Sequence, residues 1–157
     1  MLQPDNLLPD VPRVPAPWSL QGNGWIVLLR LPRAAPARSD FVATALQPTL
    51  WAPVSLLMFV DYLGAPCGPY RELLFIPGAL RFADGRRHAS ISRIFVSTWA
   101  SVVNGRANWG IPKDRADFAV TRGGERDRLA VADEKGREFC RLDFESPRGP
   151  RLPLRTS

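Results

Sequence analysis

Apolar positions along the chain fall in short runs separated by proline and glycine, the pattern of a strand-rich protein. Residues 25–31, Trp-Ile-Val-Leu-Leu-Arg-Leu, form the first run and predict a strand closed by Pro32. The Gly22-Asn23-Gly24 step before it reads as a turn. Ser39 and Asp40 offer an N-cap for a short helix over residues 41–46, stopped before Pro48. Residues 54–62 are nearly all apolar, as in a strand buried on both faces, and the Gly/Pro-containing segment after them is a turn. Residues 70–76 predict another strand, hairpin partner or neighbour of the last, ended by Pro77-Gly78. Residues 89–97 alternate, with Ile91, Ile94 and Val96 against Ser90, Ser92 and Arg93, and the slip at Arg93-Ile94 predicts a bulge. Ser97-Thr98 then cap a helix through Trp99, Val102 and Val103, which Asn104-Gly105 is expected to end in a left-handed cap. After a distinctive loop, residues 117–122, 128–132 and 137–144 alternate as strands, with Glu134-Lys135-Gly136 as the turn between the last two. Short, regularly spaced strands with few short helices predict a mainly β (α+β) fold, built as a barrel or a double sheet.

At 157 residues one domain is expected, large enough to bury a core. Residues 1–16 carry Pro4, Pro9, Pro12 and Pro15 and read as an extended lead-in. The domain itself is placed over 17–145. Residues 146–157 are either a frayed Pro/Arg-rich tail or the start of a further C-terminal part. An apolar content of 45% and a charged content of 23% are ordinary for a soluble globular protein. No apolar run is long enough to span a bilayer, and no basic stretch precedes an apolar one at the N-terminus, so a cytoplasmic protein without a membrane partner is expected. Cys67 and Cys140 lie in no CxxC motif; reduced thiols are expected, with a bridge between them as the alternative. One histidine and no paired cysteines predict no metal site, and no cofactor motif is present. The net charge of +6 raises a nucleic-acid partner. The arginines are scattered, however, and the run from Arg122 to Arg128 is interleaved with Glu125 and Asp127, so nucleic acid is not the expected partner.

Of the 21 basic residues only two, Lys113 and Lys135, are lysines. Lys113 closes the segment Gly105-Arg-Ala-Asn-Trp-Gly-Ile-Pro-Lys113, shaped by glycine and proline and bearing an aromatic ring. An amine condenses with a carbonyl to form a Schiff base, and an apolar setting is the usual way to keep one uncharged. Lys113 is therefore either the solvated end of a loop or a withdrawn, reactive amine. On the 70–76 strand Tyr70, Glu72 and Leu74 share one face. Glu72 among apolar neighbours must be paired, protonated or in a polar cavity; otherwise it faces water at a sheet edge. Arg106 is either a structural donor or a clamp for substrate, and Trp109 is positioned to wall an apolar pocket beside Lys113. His88 reads as a turn or surface residue.

Taken in order, Pro69-Tyr-Arg-Glu72, a strand ending Ile-Phe-Val-Ser-Thr98, Gly105-Arg106 and Gly110-Ile-Pro-Lys113 resemble the acetoacetate decarboxylase family. The resemblance covers residues 17–117 and rests on order and spacing together. It implies an acetoacetate decarboxylase-like fold, with Lys113 as the Schiff-base lysine and Glu72 as the active-site glutamate. It implies a small β-keto acid or related carbonyl compound as substrate, decarboxylated or carried through aldol-type chemistry and dehydration by a lysine iminium. Tyr70, Arg106 and Trp109 are then the expected substrate-binding residues. Family members are longer, with further strands past the point where this chain ends; exposed sheet edges would pair with another chain, and a homo-oligomer is expected. Four positions depart from the family pattern. Asp114 stands where a second lysine is expected and Ala107 where a glutamate is. No arginine lies near Asn23-Gly24, and Leu57 occupies the place of a further glutamate. These departures imply the alternative of a non-catalytic small-molecule-binding or structural protein of the same fold.

Overall fold

The computed structural model describes residues 4–30, 50–51 and 54–145; the helix expected over 41–46 and the tail 146–157 lie outside them. Two compact units divide the chain, Met1–Arg115 and Ala116–Ser157. Among the described residues no helix is long and apolar enough to cross a membrane.

The first unit carries strands β1 (Gln21–Leu29), β2 (Leu50–Trp51), β3 (Ser55–Gly64), β4 (Tyr70–Ile76), β5 (Ala79–Arg81), β6 (Arg87–Ala89), β7 (Arg93–Val96) and β8 (Lys113–Arg115). One α-helix, α1 (Trp99–Trp109), lies between β7 and β8. Five strands form a sheet in the order β1-β3-β4-β7-β8, and β2, β5 and β6 form a second, smaller one. Neighbours in the larger sheet are antiparallel except β7 and β8, which run parallel. A parallel pair cannot be joined by a tight turn and needs a crossover, which α1 supplies.

Register fixes which residues share a face. Tyr62 lies opposite Tyr70, Val60 opposite Glu72, Glu72 opposite Val96, and Ile94 beside Lys113. This face carries the core: Tyr70, Leu74, Ile94 and Val96 pack with Val102 of α1, flanked by Met58, Trp99 and Ile111. Apolar burial of this kind contributes about 1.5–3 kcal/mol per large side chain.

The expected strands over 54–62 and 70–76 appear as β3 and β4, paired as an antiparallel hairpin. Other expectations change. Gly22-Asn23-Gly24 is part of β1, not a turn. A Cβ at Gly22 would run into the Asp61 carbonyl, and one at Gly24 into the Phe59 carbonyl, so glycine is needed where β1 crosses closely over β3. The 89–97 strand is two strands in different sheets. β6 ends at Ala89, and Ser92, held through its N–H and hydroxyl on the Phe75 carbonyl, starts the chain toward β7. The helix does not stop at Asn104-Gly105. It runs to Trp109 and ends at Gly110, whose φ of 64° is the left-handed cap.

Asn104 continues the helix because its side chain is occupied. Its amide donates to the Ala100 and Pro12 carbonyls, and its oxygen accepts from the Val14 N–H. With Asn108 donating to the Val14 carbonyl, it ties the extended Pro-rich lead-in along α1.

The second unit is a three-stranded antiparallel sheet, β9 (Asp117–Thr121), β10 (Arg126–Ala132) and β11 (Glu138–Glu145), in the order β11-β10-β9. Leu129, Val131 and Phe144 are buried apolar residues of this sheet. Arg126, Arg128 and Arg141 pair with Glu145, Asp143 and Glu138, consistent with an evenly mixed charged surface.

Candidate functional site

Lys113 is the first residue of β8, and only 4% of it is exposed. Its Nζ donates to Glu72 Oε2 at 3.0 Å and to Ser101 Oγ at 3.3 Å, and it sits 5.1 Å from the centre of the Tyr70 ring. Glu72 is 5% exposed. Of the two alternatives left by sequence, the withdrawn amine is the observed one. The two charges meet across three elements: Glu72 on β4, Ser101 on α1, Lys113 on β8. A buried ion pair gains little net stability over apolar groups, yet losing one partner typically costs about 3–5 kcal/mol. Once formed, such a pair therefore constrains all three elements that meet at it.

Two small residues of α1 make room for the lysine. Ser101 and Gly105 are one helical turn apart and face the same way. A Cβ on Gly105 would lie 2.7 Å from Lys113 Cδ and 2.8 Å from Cε, so the stem of the lysine passes directly over this glycine. Glycine inside a helix costs about 1 kcal/mol against alanine, and here close approach accounts for it. Ser101 was not singled out from sequence. The signal was the Ser101-x-x-x-Gly105 spacing, a stripe of small residues on a helix that must admit a long side chain.

Arg106 points elsewhere. Its Nε donates to the Lys113 carbonyl at 2.8 Å, one terminal nitrogen to Asp114 Oδ1 at 3.0 Å, and the other to Asp5 Oδ1 at 2.6 Å. It holds the backbone of β8 rather than reaching the amine. Successive residues of a strand alternate faces, so Asp114 projects away from the site that Lys113 enters.

Two tyrosines border the pair. Their rings lie 4.8 Å apart, and Glu72 is near enough for its charge to act on both phenols. Burial first, and the Glu72 charge second, push both phenols well above the ordinary tyrosine range. Both therefore stay neutral and keep their protons available to neighbours. Cys67, in the β3–β4 turn, is close enough to feel the Lys113 charge, but burial dominates and raises its thiol. Cys67 and Cys140 are both free.

The sequence-predicted residues thus separate. Lys113, Glu72 and Tyr70 come together. Arg106 reaches the Lys113 carbonyl but not its amine. Trp109 does not wall the amine: it is 45% exposed at the end of α1 and stacks edge-on against Trp18 at 4.9 Å. Helix continuation past Gly105 carries that ring outward to the lead-in. His88 is exposed on the β5–β6 hairpin beside Asp84. An open hollow is bordered by Tyr62 and Tyr70 with Asp61, Arg71 and Ser97, and Lys113 is not among its lining residues.

No protein-family model matches the sequence, and no curated protein matches it. Solved structures do match the fold. Acetoacetate decarboxylase from Legionella pneumophila subsp. pneumophila str. Philadelphia 1 superposes with a TM-score of 0.67 at 16% identity, over 94% of this chain and 59% of its own. The enduracididine biosynthesis enzyme MppR, with HEPES buffer bound, gives 0.65 at 19% identity, over 90% and 59%. Another acetoacetate decarboxylase structure gives 0.66 at 13% identity, over 85% and 52%. The fold is therefore acetoacetate decarboxylase-like, mostly strands with one α-helix and a single 3-10 turn (Asp5–Leu7) among the described residues. The chain spans little more than half the length of these structures.

Proposed function

We propose that Lys113 is a Schiff-base lysine acting on a small β-keto acid or related carbonyl compound, with Glu72 as its proton partner. The observation that carries this reading is the enclosed amine held 3.0 Å from a carboxylate on a different strand. Proton transfer across that contact leaves a neutral amine, which adds to the carbonyl carbon. One N–H proton passes to the former carbonyl oxygen, and the resulting hydroxyl takes the proton held on Glu72 and leaves as water, giving an iminium. With a β-keto acid, the electrons of the breaking carbon–carboxylate bond flow to the iminium nitrogen, releasing carbon dioxide and an enamine. With an aldol-type substrate the same iminium stabilises the carbanion. Protonation and hydrolysis then return Lys113 and the product. Tyr62 and Tyr70, held neutral by burial, serve as donors beside Glu72. Entry requires the groups around the amine to move, because it is buried. Such an enzyme would work in the cytoplasm as a homo-oligomer.

The test is reductive trapping: incubation with acetoacetate or pyruvate and borohydride, then peptide mass mapping. An adduct on Lys113 that Lys113→Ala abolishes is expected. Absence of any Lys113 adduct with either keto acid, while the solvent-exposed Lys135 reacts with a simple aldehyde, would sink the reading. The second reading, a non-catalytic protein of the same fold, is favoured by Ala107 and Leu57 at positions where the family pattern expects carboxylates. It predicts no adduct and a Lys113–Glu72 pair that serves stability alone.

A further inference from the structure

Ser101 is fully buried in the middle of α1, a position where alanine would pack as well with no polar group to satisfy. Its hydroxyl accepts from Lys113 Nζ at 3.3 Å. A protonated lysine nitrogen has three N–H directions. Glu72 takes one at 3.0 Å and Ser101 a second, and the centre of the Tyr70 ring lies 5.1 Å from the nitrogen. Once Glu72 has removed a proton, the amine is a rotor with two N–H bonds and one lone pair. Only the lone pair attacks a carbonyl, so the rotor angle decides whether the nitrogen is productive.

We propose that Ser101 is a positioning residue for Lys113. By holding one N–H of the neutral amine, it keeps the lone pair on the side shared by Glu72 and Tyr70, where the carbonyl must arrive. Ser101 is fully buried within α1, so the rotor is braced by a group that has no solvent to swing into. This inference rests on the Schiff-base reading of Lys113 and adds to it a residue on the crossover helix.

Lys135, the other lysine of the chain, is exposed in the second unit and supplies an internal reference. The full-length protein is treated with acetone and cyanoborohydride, and isopropylation of Lys113 and Lys135 is followed by peptide mass mapping. Ser101→Ala and Ser101→Cys both remove the hydroxyl, the second with little change of volume, and Ser101→Thr retains it. In the two hydroxyl-free variants the Lys113 rate, relative to Lys135, is expected to fall about tenfold, the kinetic equivalent of one hydrogen bond. Ser101→Thr is expected to stay within about threefold of the parent, since its oxygen still accepts from the amine. A merely structural serine would lower the melting temperature and leave the Lys113-to-Lys135 ratio unchanged in all variants. That result, with a normally labelled parent, overturns the positioning role and leaves the Schiff-base reading standing. A parent labelled at Lys135 but never at Lys113 overturns both.

Discussion

Gly105→Ala sets two effects against each other, and the geometry decides the sign. In an isolated helix the change stabilises by about 1 kcal/mol, because alanine is the better helix former. Here the new methyl would sit 2.7 Å from Lys113 Cδ, 2.8 Å from Cε and 3.4 Å from Nζ. Those atoms are not the loose end of a surface side chain. The nitrogen is tethered to Glu72 and Ser101, so the stem cannot swing aside without lengthening the ion pair. Overpacking of this kind costs about 1–3 kcal/mol, and partial loss of a buried pair adds to it, since complete loss costs about 3–5 kcal/mol. The net expectation is a loss of about 2 kcal/mol. For a chain of this size that lowers the melting temperature by about 4–8 °C, measured by circular dichroism. In a Lys113→Ala background the obstructing atoms are gone, and the same glycine change should stabilise by about 1 kcal/mol. The reversal of sign across this double-mutant cycle is the diagnostic. A Gly105→Ala protein more stable than the parent would mean that the lysine stem does not cross the helix here, and the description of the site would fail with it.

The two tyrosines of the chain are Tyr62 and Tyr70, so tyrosinate absorbance reports on the site alone. Both are held above the ordinary value of 10.0 in the folded state by burial and by Glu72, so the folded protein retains protons that the unfolded chain releases. Their contribution is complete below about pH 10 and is lost as pH rises past it; the absorbance should therefore appear together with loss of the folded circular dichroism signal, and phenols titrating near pH 10 in an intact fold would contradict this. Arg106→Ala should cost about 2 kcal/mol in urea denaturation, because charge-assisted bonds to the Lys113 carbonyl and to Asp114 are lost, and Arg106→Lys should not restore it. Asp5→Ala removes only the solvent-exposed arm of that cluster and should cost under about 0.5 kcal/mol.

The parts of this fold legible in sequence are those where one face is buried along a whole strand. β4 was legible to the residue because Pro77-Gly78 stops it and Tyr70, Glu72 and Leu74 alternate inward. Three-residue strands carry no periodicity, and so β8 and its parallel pairing with β7 were not visible; position alone left Lys113 open between a solvated loop end and a withdrawn amine. The helix end was misplaced because tertiary contacts override a local signal. Asn104-Gly105 is a good stop in isolation, but Asn104 is bonded to the lead-in and Gly105 lies under a lysine. Only the resemblance put Lys113 and Glu72 in one site; the residue types left the partner of each open. Ser101 followed from neither, since a serine in a helix carries no chemical signature until its neighbours are known. Trp109 was assigned to the site by proximity in sequence, and one more turn of helix moves it away.

Asp114 would normally count against a reactive lysine, because a neighbouring carboxylate favours the charged amine. The strand geometry of β8 makes Glu72, not Asp114, the carboxylate that meets the amine. Alternation sends Asp114 to the opposite face, where Arg106 binds it at 3.0 Å while also gripping the Lys113 carbonyl. One guanidinium thus neutralises the adjacent acid and fixes the backbone that carries the amine. A departure from the family pattern at this position therefore alters how β8 is held, while the setting of the amine is decided by Glu72, Ser101 and Tyr70. Those three groups arrive from β4 and α1, and they converge on Lys113 only because α1 crosses over to make β8 parallel to β7. Assembly of the buried Lys113–Glu72 pair and formation of that crossover are consequently one structural event, and a change that disturbs the β7–α1–β8 unit should remove both.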